Sequence, residues 1–342
     1  MSSFPDPEWP EAEGEPGPEA QPALNDDHAL VEAESIPTAV PAELIALEPV
    51  SAEPSTPFLE TYADMAARRP LPPAIRIPNF ADVGLVVVLL LFGWMGSGAL
   101  LAAALHYHLW GVSTAKQAVE DIHYTLGSQV IWYFISLSAC LILFPAIWHR
   151  RFFDAVEWNA TAAMRKRWSL FTAAFACFVL ALIDGLLLPG PADTPIDQVF
   201  RMPGAAWLLF AFGITIAPFF EELGFRGFLL PAFCTAVDWF MEHLIKRPPP
   251  EPYLEGNTRW SRGAMAIGAL LTSIPFALMH AYQTGWSLGP FLLLICVSMV
   301  LCWVRLSTRS LAASTLVHSS YNLLLFSLML AGTGGFKHLD KM

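Results

Sequence analysis

The chain is predicted to be all-α, a polytopic membrane bundle of about seven transmembrane helices (six to eight) behind a disordered acidic amino-terminal tail. Three observations predict this. Apolar residues make up 55% of the sequence and charged residues 14%, against roughly one quarter charged in soluble domains. After Phe80 the apolar residues gather into blocks close to the ~20 residues that cross the hydrocarbon. No strand-like alternation points to a barrel, and a backbone in lipid must satisfy its own hydrogen bonds, which leaves helices.

The tail, 1–80, is rich in Pro, Glu and Ala and is too poor in patterned apolar residues to offset ordering entropy. It holds 15 acids against Arg68, Arg69 and Arg76, or −12, whereas the remainder holds 15 acids and 16 bases, or +1. The net charge of −11 therefore belongs to the tail. It has no basic stretch followed by an apolar one, so it is not read as a secretory signal or transit peptide. The acidic balance also argues against nucleic acid as a partner.

Seven blocks follow, at about Val83–Leu105, Leu126–Trp148, Ser169–Leu188, Ala205–Phe240, Gly263–Tyr282, Trp286–Val304 and Leu311–Leu330. The fourth is too long for one simple span, and Pro218 and Pro231 bracket a Glu pair inside it, so a bend is expected there. The organisation reads as accessory spans over 81–204, a core over 205–330 and a short carboxyl-terminal tail, 331–342. Arg and Lys gather after the even-numbered blocks, at Arg150, Arg151, Arg165, Lys166 and Arg167, then Lys246, Arg247, Arg259 and Arg262, then Arg305 and Arg309. By the positive-inside rule the amino terminus is cytoplasmic, and the composition fits a bacterial plasma-membrane protein.

The five cysteines, Cys140, Cys177, Cys234, Cys296 and Cys302, all fall in apolar blocks, where they are expected to behave as small buried hydrophobes without a disulfide framework. Gly98 with Ala102 is a small-xxx-small packing signal. The Asn159-Ala-Thr161 sequon falls in a loop on the cytoplasmic side and is read as accidental. Asp184, Tyr282 and Tyr321 receive no role.

The chemistry concentrates in the fourth block. Pro-Phe-Phe-Glu221-Glu222-Leu-Gly-Phe-Arg226-Gly puts three ionisable groups within six residues at membrane depth. Each costs at least ~2.5–3.5 kcal/mol there unless partnered or in a water-filled cavity. Glu222 and Arg226 are i,i+4 neighbours and pair on one face, while Glu221 points about 100° away. Such a pair also serves simply to hold helices together. Phe276 with His280, and His318 with Asn322, likewise share helix faces at four-residue spacing.

Together, Glu221-Glu222-Leu-Gly-Phe-Arg226, Phe276-Ala-Leu-Met-His280 and His318-Ser-Ser-Tyr-Asn322 resemble the three motifs of the CAAX-protease and bacteriocin-processing family (CPBP, Rce1-like or Abi) of intramembrane glutamate endopeptidases. Thr308-Arg309-Ser310-Leu311 also resembles the family's approach to its last core helix. The resemblance covers roughly Ala205 to Leu330. It implies that Glu221 is the base, that His280 holds and polarises a water, and that His318 with Asn322 forms the oxyanion site. Glu222, Arg226 and Phe276 then support.

Peptide hydrolysis needs a water, a base, oxyanion donors and an acid for the leaving amine, and this inventory supplies them. The resemblance implies a membrane-associated peptide or protein substrate, prenylated in the eukaryotic members. No cofactor is expected. Zinc on Glu221, His280 and His318, a metalloendopeptidase site, is the chemical alternative, but His-Glu-x-x-His is missing and Asn322 is a poor zinc ligand. The alternative outside catalysis is a membrane scaffold, an immunity protein or a proton-coupled transporter using the same buried polar cluster. One geometric conflict stands. Counting along straight spans puts His280 near the outer end, Glu221 mid-block and His318 seven to ten residues from the inner boundary, so either the helices containing Pro218 and Pro275 are kinked, or the span boundaries lie elsewhere, or the catalytic assembly is incomplete.

Overall fold

In a computed structural model, residues 76–338 are described apart from 189, 192, 203 and 249–259. Nearly all of the predicted tail, and residues 339–342, lie outside the described residues. Those described fall within one unit, Pro70–Met342.

The first span, α1 (Phe80–His106), starts at a capping box. The Asn79 side chain accepts from the amides of Ala81 and Asp82, and the Asp82 carboxylate accepts from the Asn79 amide. Asp82 is buried and also accepts from the Trp148 indole at 3.0 Å. That bond ties the start of α1 to the end of α3 (Ile122–Trp148), which the short α2 (Ala115–Glu120) precedes. The two long helices run antiparallel along a seam formed by Leu89, Gly93 and Ser97. A Cβ on Gly93 would sit 2.2 Å from the Ser136 hydroxyl, so only glycine permits this approach. Ser97 donates to the Ser128 carbonyl at 2.7 Å and Trp132 to that of Leu90 at 2.7 Å. The packing signal expected at Gly98 and Ala102 is not used. Gly98 faces open space and Ala102 is exposed, because one residue beyond Ser97 is a rotation of about 100° off the seam.

Short helices α4 (Phe152–Ala155) and α5 (Ala160–Arg165) lead into α6 (Arg167–Leu187), and α7 (Pro195–Phe200) precedes the fourth block. Asn159 of the sequon caps α5, accepting from the Ala162 amide at 2.9 Å. The fourth block is broken into α8 (Ala205–Ile214), α9 (Ile216–Glu222), a π-helical turn over Leu223–Leu229 and α10 (Leu230–His243). Then come α11 (Arg262–Ala281), α12 (Leu288–Thr308) and α13 (Leu311–Gly332). Among the described residues seven helical segments are long and apolar enough to cross a membrane, in agreement with the seven blocks.

The interruptions follow from proline chemistry. Pro218 lacks an N–H and its ring crowds the carbonyl four residues back, at Ile214. The helix breaks at the next residue, Thr215 (φ −125°, ψ −75°), three positions before the proline. Pro231 likewise offers no amide to Gly227, and the π turn ends just before it. Single π turns inside α-helices are frequent at functional sites.

One apolar core joins α6, α12 and α13 through Leu170, Ala174, Val297, Leu301, Ala313 and Val317. A second gathers Phe144, Trp148, Phe152, Val156, Phe228 and Leu311. Where these cores meet, buried Arg305 of α12 donates to Glu157 at 2.7 Å and to the Val156 carbonyl at 3.2 Å. The Leu311 amide donates to the Glu157 carbonyl and the Ser310 hydroxyl to that of Asn159. The α12–α13 turn is thus fastened to residues 156–159. Four cysteines are buried as expected, but Cys296 is exposed on α12, since an apolar block in lipid has an outward face as well as a packed one.

Candidate active site

Glu221 and Glu222 close α9, immediately before the π turn. Glu222 and Arg226 are both 0% exposed and pair at 3.0 Å. The guanidinium also donates to the Ser298 hydroxyl at 2.7 Å and the Ser298 carbonyl at 3.2 Å, and lies 4.5 Å from the centre of the Phe276 ring. The expected i,i+4 pair therefore forms, and it fastens the π turn to α12 and α11. Ser298 is the residue that sequence reasoning missed. A single small hydroxyl in an apolar run carries no motif.

Glu222 has a second partner. Its Oε1 lies 3.0 Å from His318 Nδ1 on α13. A carboxylate salt-bridged to arginine only accepts, so Nδ1 carries a proton and Nε2 faces the other way. His280 is held in the same tautomer by a different partner, with Nδ1 2.9 Å from the Phe276 carbonyl, which also only accepts. Both Nε2 atoms face one oxygen, Oε2 of Glu221, each at 3.7 Å. This is beyond direct hydrogen-bond distance. A separation of this size is one that a single water can bridge. The Glu221, His280 and His318 side chains are 15%, 19% and 6% exposed, so the cluster is enclosed but open on the Glu221–His280 side.

Phe276 is fully packed and walls the cluster, with ring centres 4.9 Å from His280 and 5.9 Å from His318. Asn322, one turn beyond His318, donates from Nδ2 to the Gly213 carbonyl at 2.8 Å. Gly213 sits beside the break at Thr215, so the amide serves a carbonyl at the interrupted end of α8 and keeps a second N–H. A Cβ at Gly213 would meet the Phe326 ring at 2.6 Å, which closes α8 onto α13. Sequence reasoning missed Gly213 as well, since its place is set by the partner helix.

The structure thus brings Glu221, His280 and His318 to one point, with Glu222, Arg226 and Phe276 around them and Asn322 one turn away on the His318 helix. The fourth block is interrupted as expected, at Thr215 three residues before Pro218, whereas α11 runs through Pro275 without a break. His280 stands 18 residues beyond Arg262 and His318 only seven beyond Leu311. The difference of eleven residues corresponds to ~16 Å at the helical rise. Leu311 is itself fully buried, so α13 starts inside the bundle rather than at its surface.

Among the described residues, no group of three or more His, Cys, Asp or Glu has the arrangement of a metal site. Residues 203–324 match the family model described as type II CAAX prenyl endopeptidase Rce1-like. The chain carries an Rce1-like domain. That domain spans α8 to the middle of α13 and contains Glu221, Glu222, Arg226, Phe276, His280, His318 and Asn322, whereas α1 to α7 lie outside it. The Rce1-like domain and the seven apolar helices make this a multi-pass membrane protein with a domain of the CAAX-type protease kind. No curated protein and no solved structure matches the chain.

Proposed function

We propose that the protein is an intramembrane endopeptidase that hydrolyses a peptide bond of a membrane-associated, CAAX-type substrate with a water activated by Glu221. The observation that carries this reading is the convergence of two imidazole Nε2 atoms on Glu221 Oε2, with both Nδ1 atoms already committed elsewhere.

With both rings neutral the three converging atoms are all acceptors, so a bound water donates its two protons to Glu221 and one imidazole and turns an oxygen lone pair outward, toward a substrate carbonyl. Attack forms the new C–O bond and sends one water proton to Glu221. His318 starts without a proton on Nε2, so it becomes an oxyanion donor only after taking one up, and Glu221 stands beside it to pass that proton. Glu222 balances the resulting imidazolium through Nδ1, as the buried carboxylate does in a Ser-His-Asp triad. The second N–H of Asn322 completes the donor pair. As the C–N bond breaks, the proton goes to the leaving amine, and Glu221 and the neutral imidazoles return to their starting state. No metal is needed in this scheme. We further propose that the amino terminus faces the cytoplasm, on the Lys and Arg distribution.

The test is cleavage of a panel of fluorogenic prenylated and unprenylated membrane peptides by the purified protein in detergent. Wild type is compared with Glu221→Gln and Asn322→Ala, with and without a chelator. Turnover lost in both variants and indifferent to chelator is expected. Chelator-sensitive turnover moves the site to zinc, and equal turnover in all three proteins overturns the assignment. If wild type cleaves nothing while Glu221→Gln removes a cellular phenotype at unchanged abundance, the scaffold or transporter alternative takes over.

A further inference from the structure

Away from the catalytic cluster, a cleft of about 570 Å³ opens between α11 and α12, within the ~300–1,000 Å³ range of ligand clefts. Its walls are Met265, Ala266 and Ala269 on α11, and Met299, Trp303 and Leu306 on α12. These recur at the three- and four-residue spacing of helix faces, so the apolar surface is a strip running along the helices. At one end the lining changes to Ser307, Thr308 and Arg309.

Arg309 differs from its neighbour Arg305. Arg305 is buried and committed to Glu157 and the Val156 carbonyl. Arg309 is exposed, forms no ion pair among the described residues, and sits at the carboxyl end of α12 in the left-handed region (φ 51°). A cation there is favoured by the helix dipole and available to an outside anion. Among the described residues, no acidic residue lines the cleft. Trp303, 64% exposed, stands along the same wall, as an interfacial tryptophan does at headgroup level.

An apolar strip along the helices, with a guanidinium at its end that pairs with no carboxylate among the described residues, fits one kind of occupant. We propose that the α11–α12 cleft is a binding site for an anionic phospholipid, with an acyl chain along Met265, Ala269 and Met299 and the phosphate at Arg309. Basic pockets between transmembrane helices bind acidic headgroups in this way. The site lies outside the catalytic cluster, and its test does not depend on proteolysis.

Full-length protein in detergent is loaded with phosphatidylglycerol or phosphatidylcholine of identical chains, and retained lipid is counted by native mass spectrometry. One basic residue near the surface gives about fivefold preference for the anionic lipid in wild type. Arg309→Gln brings the two lipids to parity, and Ala266→Trp, which fills the cleft from its exposed side, lowers retention of both. Preference persisting in Arg309→Gln, or retention unchanged in Ala266→Trp, overturns the site. Displacement of phosphatidylglycerol by inorganic phosphate alone overturns the acyl-chain part, reducing the cleft to an anion site. Thermal unfolding of each variant without added lipid separates lost binding from lost fold.

Discussion

His318 Nδ1 and Glu222 Oε1 stand 3.0 Å apart inside the bundle, joining α13 to the end of α9 across 96 residues of sequence. This contact fixes which ring nitrogen faces Glu221, and in the mechanism proposed above it puts a negative charge behind a histidine that becomes positive during turnover. Glu222→Gln keeps an acceptor for Nδ1 but removes the charge. In the triad where the equivalent change has been made, turnover falls about 10⁴-fold. A loss of 10²–10⁴-fold in kcat with KM little changed is expected here, read by steady-state kinetics on whichever peptide of the panel is cleaved.

Arg226 tests the same pair from its other side. Arg226→Met removes the guanidinium bonded to fully buried Glu222 and frees Ser298. Breaking a buried pair on one side costs about 3–5 kcal/mol, so this variant should unfold at much lower temperature than wild type and accumulate poorly. Unfolding within a degree of wild type would show that Glu222 does not depend on Arg226.

His280 is a different case. It is partly exposed, and its visible hydrogen bond is to the Phe276 carbonyl of its own helix. His280→Ala should therefore leave thermal stability nearly unchanged while slowing cleavage by the ~10²–10⁴-fold typical of a lost acid–base group. Parallel losses of stability and activity would reassign His280 to packing.

Asn322 joins both kinds of role. Asn322→Ala removes an oxyanion donor, for about 100- to 1,000-fold in kcat, together with the bond to Gly213, for about 1 kcal/mol of stability. Asn322→Asp keeps the shape but has no N–H to give, so it should be as slow as the alanine variant. Activity retained in Asn322→Asp would rule out donation as its function.

The first hairpin offers a test of packing alone. Gly93→Val drives a side chain into Ser136 and the Trp132 carbonyl, and overpacking of this kind costs about 1–3 kcal/mol. Gly98→Val meets open space and should unfold as wild type does. Differential scanning of the two variants side by side decides which glycine the helices pack on.

The spans were legible because hydropathy is summed over some twenty residues, and no single position decides it. The polar cluster was legible for the opposite reason: Glu221, Glu222, Arg226, His280 and His318 stand out against apolar surroundings. What could not be read was relative depth. The sequence of α13 gives no sign that Leu311 starts inside the bundle, since that follows from residues 156–159 receiving the α12–α13 turn. Partner choice was equally hidden. Ser298 and Gly213 are ordinary residues in apolar runs, and each matters only because a long side chain from another helix reaches it. The small-residue seam shows the same limit, for Gly93 and Gly98 look alike until the facing helix is in place.

The reach of the cluster along the chain also bears on biosynthesis. Glu221 is made early in the Rce1-like domain, whereas His318 and Asn322 belong to the last long helix. Chains leave the ribosome amino terminus first, so a nascent chain threaded as far as α12 has its base but neither His318 nor the Gly213 clamp. In the reading proposed above, cleavage switches on only when the final helix inserts, and an unfinished protease at the translocon leaves neighbouring nascent proteins intact.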